Sequence, residues 1–182
     1  LVASAVAGNV VLDVGGTASL TITAITALIQ SDGDLDVTGD VITVTNLGLI
    51  ADADNNGLGT LTIPAVLTVA GDLRVEGADV VAADGSIDLV ATRVLFASDA
   101  AETIGVTADV LDATSGGSLV VVSLAAALDL LDLNCDNVAL QSTGVAGSVT
   151  LTSPGTVTIS DDVIAGNDGT TTSTGSITIT AS

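Results

Sequence analysis

Residues Gly175–Thr180 read "GSITIT": a glycine, a small polar residue, then two isoleucines with one threonine between them. The same phrase stands earlier as "GDLDV" from Gly33, "GTLTI" from Gly59, "GSIDL" from Gly85, "GSLVV" from Gly117 and "GSVTL" from Gly147, with a looser copy at Gly8. The seven glycines are separated by 25, 26, 26, 32, 30 and 28 residues. Two and four places after each of them stands an aliphatic residue, from Val10 and Leu12 to Ile177 and Ile179, while the residue between is polar in five of seven copies. Alternation with period two describes a strand with one face in and one face out. The preceding glycine marks a turn that needs positive φ or close backbone approach.

One strand returning in phase predicts stacked coils. Extended, 26 residues would span about 90 Å, so the chain must double back between copies. The interval suits about three short strands per coil. "VVLDV", "SLTITA" and "ALIQS" make the first coil; "LDV", "VITVT" and "LGLIA" make the second, before the loop "DADNNG". Asp99–Thr103 and Asp161–Asp168 read as inserted loops, and "LAAALDLLDL" from Leu124 as a broad strand or short insert. The expected architecture is all-β: a right-handed single-stranded parallel β-helix, or β-solenoid, of 25–32 residues per coil, with handedness taken from the rule for parallel crossovers. Residues 1–182 form one such domain, expected to be a segment of a longer chain, with coils starting near 8, 33, 59, 85, 117, 147 and 175. An antiparallel sandwich also has short strands at regular spacing, but it does not explain one motif recurring in phase.

Composition agrees. Hydrophobic residues make up 48% of the chain, yet Phe96 is the one aromatic and Met, Trp, Tyr, Lys and His are absent. Val, Ile and Thr at this density favour a pleated surface. The net charge is −20, from twenty-two acids, of which only Glu76 and Glu102 are glutamates, against Arg74 and Arg93. Such a surface repels phosphate backbones and anionic headgroups, which excludes nucleic acid as a partner. The longest apolar stretch, "LVVVSLAAALDLL", is interrupted by Ser123 and Asp129 and falls short of the roughly 20 residues a membrane helix needs, so no membrane insertion is expected. "LVASAVAG" at the start reads as an ordinary strand. Cys135 cannot form an internal disulfide and, continuing the alternation of Leu131 and Leu133, is expected to point inward.

The segments "GDLDVTGDVITVTNLGLIA", "GDLRVEGADVVAADGSIDLVATRVLFAS" and "GSVTLTSPGTVTIS" resemble the repeat regions of filamentous-haemagglutinin-like adhesins secreted by two-partner systems, and more loosely autotransporter passengers. The resemblance implies a right-handed parallel β-helix, exported unfolded, that forms a shaft at or beyond a bacterial cell surface. Calcium-binding nonapeptides of the form GGxGxD do not occur.

Local chemistry is sparse. In "DADNNGLG", Asp52, Asp54 and Asn56 with Gly57 match positions 1, 3, 5 and 6 of an oxygen-ligand calcium loop, but Ile63 stands where the bidentate glutamate belongs. Calcium is therefore the one cofactor considered, against a plain polar turn; "GNDGTT" from Gly166 has a weaker claim. The pairs Asp34/Asp36, Asp84/Asp88 and Asp161/Asp162 invite comparison with glycan-cleaving carboxylates. Without Trp, Tyr, Lys or His to hold a sugar, they read as solvated, and no enzyme is expected. Thr ranks in "TIT", "TVT" and "TLT" suggest an ice-binding face, which Asp36, Asp88, Val11 and Val120 interrupt. Expected partners are further coils, either flanking in a longer chain or end to end in a fibre, and a host or matrix surface, with an extracellular location.

Overall fold

The computed structural model describes residues 2–5, 10–11, 21–38, 41–166 and 175–182. Of the copy led by Gly8 only Val10 and Val11 are among them, and "GNDGTT" beyond its first glycine lies outside them. The described residues form twenty strands and no helix. They are arranged in a ten-stranded, a six-stranded and a four-stranded sheet. Every strand pairing is parallel, including those of the ten-stranded sheet from Val2–Ala5 to Asp162–Ala165. The four-stranded sheet covers the first part of the chain, ending at Asp79–Ala82. The six-stranded sheet takes over with Val66–Thr68 and runs to Ile177–Ala181. This is an all-β fold of long parallel sheets, compatible with a β-solenoid.

The core is one cluster of hydrophobic side chains, aliphatic except for Phe96. Ile29, Leu49, Val75, Phe96, Ala113, Leu140 and Val163 form a single column, each the register partner of the next. Phe96 is fully buried and stands directly over Ala113, so the largest side chain is accommodated by one of the smallest. A second column runs Leu47, Leu73, Val94, Leu111, Leu130 and Ile159. Burying each Val, Leu or Ile contributes about 1.5–3 kcal/mol, and a narrow interior needs no aromatic platform.

The coil interval is less regular than the glycine motif predicts. Leu35 does stack on Leu61, 26 residues on. Leu61, however, stacks next on Val80, and Ile87 belongs to the six-stranded sheet, where Leu89 lies beside Leu67. Gly85 and Gly117 enclose an additional strand, Glu102–Thr107, so Ile87, Ile104 and Val121 follow one another at intervals of 17. One strand of the ten-stranded sheet separates each of these from the next. The supposed insert at Asp99–Thr103 is therefore a short turn leading into a strand, and Asp162–Ala165 likewise lies in a strand.

Corners are built from a signal the glycine motif leaves out. Ser31, Ser98, Ser115, Ser123 and Ser153 are buried at or next to strand ends. Each hydroxyl accepts the N–H two residues on, from Gly33, Ala100, Gly117, Ala125 and Gly155 at 3.1–3.3 Å. Such a turn satisfies an amide the ladder leaves behind. At one such corner a Cβ on Gly117 would lie 2.6 Å from the Ala101 Cβ of the preceding coil, which is why glycine is needed there. Gly85 serves the other purpose, with φ of 83°.

Candidate functional site

The loop expected to hold calcium closes on itself. Asp52 is nearly buried, with φ of 59°. Its Oδ1 accepts the Asn56 N–H and its Oδ2 the Gly57 N–H, both at 2.9 Å. The Asn56 amide donates to Asp54 Oδ2 at 2.8 Å, and Asn56 Oδ1 accepts the Leu58 N–H. Asp54 and Asn56 are exposed. The side chains thus knit the turn by short-range hydrogen bonds. Beside it a recess is lined by Asp52, Asn55, Glu76, Ser98 and Asp99. Among the described residues no three His, Cys, Asp or Glu side chains gather closely enough to hold a metal ion.

The paired carboxylates are dispersed over backbone amides. Asp34 accepts the Thr60 N–H, Asp36 the Thr38 N–H and hydroxyl, Asp84 the Ser86 N–H, and Asp161 the Asp132 N–H. Both arginines are already engaged: Arg74 with Glu76 at 2.6 Å and Arg93 with Asp72 at 2.5 Å. These hydrogen bonds raise both guanidinium groups further above their usual range. On the outward face of the six-stranded sheet, Thr150 and Thr152 stand beside Thr178 and Thr180, but the rows continue through Val120, Val122 and Gly105.

Two acids that the sequence does not single out are buried. Glu102 sits where the four-stranded sheet stops. Its Oε1 accepts the Ser98 hydroxyl at 2.6 Å and, at 3.4 Å, the N–H of Val80 on the last strand of that sheet. Burial pushes its carboxyl above the ordinary range, against those two donors, and Asp79 adds repulsion.

Asp112 is the second. Its neighbours Leu111 and Ala113 face the core, so its own side chain lies on the opposite face of the ten-stranded sheet. It is nevertheless fully buried. The cover is the segment Leu131–Asn137, which separates the strands Ala127–Leu130 and Val138–Ser142. Both of those strands pair with Val110–Ser115, at Leu111–Leu130 and Ala113–Leu140, so the loop departs from the ladder at Asp112. Oδ2 accepts the Leu133 N–H at 2.8 Å, whereas Oδ1 has no hydrogen-bond partner. Desolvation pushes the carboxyl up to about 7, opposed by the backbone N–H groups of Leu133 and, more weakly, Asn134, and reinforced by repulsion from Asp136 and Asp132.

The loop holds its own shape through Asp132, which accepts N–H groups from Asn134, Cys135 and Asn137 at 2.6–2.9 Å. Desolvation raises the Asp132 carboxyl, but these amides outweigh it and hold the group below its ordinary range. Cys135 is exposed at φ of 72°, which corrects the inward placement expected from alternation: the strand ends at Leu130 and the pattern of Leu131 and Leu133 continues into a loop. "LAAALDLLDL" accordingly divides into the strand Ala127–Leu130 and the start of this loop. No helix among the described residues is long and apolar enough to cross a membrane. No protein-family model, no curated protein and no solved structure matches the chain.

Proposed function

We propose that the chain is a stretch of right-handed, single-stranded parallel β-helix that serves as a non-catalytic structural segment, an adhesin shaft or filament element, of a secreted bacterial surface protein. The observation that carries this reading is the unbroken column from Ile29 to Val163, seven residues from seven successive layers of one sheet. Backbone hydrogen bonds then run along the axis of stacking, and each layer is supported by the two beside it. Layers about 4.8 Å apart add length without changing the cross-section, which is what a shaft requires. The acidic exterior, with both arginines neutralised in place, discourages lateral association.

Two other apolar rows end on exposed side chains. Ile159 follows Leu130, and Ile177 follows Val149, each about half exposed. A further coil, from the same chain or a second copy, is the partner that continues them. The resemblance to filamentous-haemagglutinin-like repeats points the same way and supplies the extracellular setting.

Electron micrographs of the purified protein, with immunogold labelling of the cells that produce it, test the proposal. Thin rods, single or joined end to end, and gold at the cell surface are expected. Compact particles without elongation, cytoplasmic gold, or hydrolysis of a polysaccharide panel refute it.

A further inference from the structure

We propose that Asp112 and the loop Asp132–Asn137 above it form a binding site for one divalent cation, calcium by its ligand chemistry. The inference is independent of the shaft reading, since it rests on this loop alone.

The starting point is an acceptor without a donor. Asp112 Oδ1 is fully enclosed and bonds to nothing, while Oδ2 of the same carboxylate takes the Leu133 N–H and so directs the group into the loop. An orphaned buried acceptor is costly, and native structures rarely tolerate one. No protein cation is positioned to relieve it. The chain has two basic side chains, and both are held by other carboxylates, Arg74 by Glu76 and Arg93 by Asp72.

The loop adds negative charge instead of removing it. Asp132, Asn134 and Asp136 alternate as D-x-N-x-D, and Asp132 and Asp136 both repel the charge on Asp112. Asp132 is occupied by three amides and acts as the scaffold of the turn. Asp136 differs. Its Oδ1 accepts the Val138 N–H at 2.8 Å, and the side chain is exposed, so its other oxygen can serve as a ligand. The proposed site draws on two carboxylates, the buried Asp112 and Asp136 on the loop that covers it, with loop carbonyls and water to complete the shell. It does not amount to a cluster of three acidic side chains, and none occurs among the described residues. Oxygen donors in an irregular array suit calcium, which takes 6–8 ligands flexibly, better than magnesium, which demands a regular octahedron. With two carboxylates, affinity belongs to the weak class of extracellular modules, a Kd of about 10⁻⁴–10⁻³ M.

Thermal unfolding of the full chain after EDTA treatment, titrated with CaCl2 against NaCl of matched ionic strength, is the test. Hydrogen exchange at the amides of residues 133–138 supplies the location. In the unsubstituted protein Tm climbs with the logarithm of calcium concentration once calcium passes the millimolar range, and those amides gain protection. At calcium about 100-fold above Kd, the folded-to-unfolded ratio rises about 100-fold. Asp112→Asn and Asp136→Asn lose the logarithmic rise, while Asp52→Asn keeps it. Should Asp112→Asn fail to fold, Asp136→Asn, altered at an exposed side chain, decides alone. Three results overturn the proposal: no rise in the unsubstituted protein, as when a proton on Asp112 suffices; an equal rise in the Asp136→Asn variant, as when calcium merely screens the acidic surface; or loss of the rise in Asp52→Asn alone.

Discussion

Exchanging the sizes of Phe96 and Ala113 tests the column on which the fold depends. The two are register partners in adjacent layers, both fully buried, with Val75 on the other side of Phe96. Phe96→Ala alone leaves a cavity and is expected to cost about 3–5 kcal/mol. Ala113→Phe alone drives a ring against one already present and is expected to cost about 1–3 kcal/mol. Together they return a large residue and a small one to the same column, one layer displaced. The double variant conserves volume, so its loss should stay below about 1.5 kcal/mol. The single losses together come to about 4–8 kcal/mol, so the favourable coupling is at least about 2.5 kcal/mol, at or beyond the upper end for side chains in contact. Urea unfolding followed by far-UV circular dichroism reads all four proteins, since no Trp reports on the core. If the single variants approach the whole stability of the domain, about 5–15 kcal/mol, Phe96→Leu and Ala113→Val give a gentler cycle of the same sign. Additivity within about 0.5 kcal/mol would mean that the two side chains do not touch, and the stacking order would be wrong.

Two further outcomes follow from single side chains. Cys135 should react with a maleimide under native conditions about as fast as in urea, because it is exposed on the loop; strong native protection would restore the inward strand reading. Glu102 has a raised carboxyl in the folded state, so the folded chain holds this proton more tightly than the unfolded one. Its contribution to stability is full below the ordinary carboxylate range and is lost as pH rises through the raised value. Glu102→Gln keeps an oxygen for the Ser98 hydroxyl and the Val80 amide. Its urea midpoint should therefore fall less steeply with rising pH than that of the parent, and identical slopes would refute the assignment.

The candidate sites differed in how visible they were. "DADNNG" could be picked out because its ligand-like residues are contiguous, and the structure shows those residues bonding one another. Asp112 could not. In "VLDATS" it reads as one more outward carboxylate between core residues, like Asp36 or Asp88. What distinguishes it is a loop some twenty residues further on that folds over it, and no local pattern reports such a cover. Cys135 illustrates the converse: alternation persisted in the letters after the strand had ended.

From the sequence alone came strands, their buried faces and the parallel stacking of a repeated motif, since side-chain alternation is a property of each strand taken singly. Leu35 on Leu61 and Val149 on Ile177 follow directly from the glycine-led phrase. Which strand lies on which elsewhere was decided only in three dimensions. Turn length sets register, and the chain shifts from the four-stranded to the six-stranded sheet between Leu61 and Ile87. The strand that breaks the count is Glu102–Thr107, where Glu102 pairs with Leu119 and occupies the place of the motif's first aliphatic residue. A carboxylate is admitted there because the neighbouring sheet ends at that level and leaves the Val80 amide to be satisfied, a circumstance that exists only once the coils have been stacked.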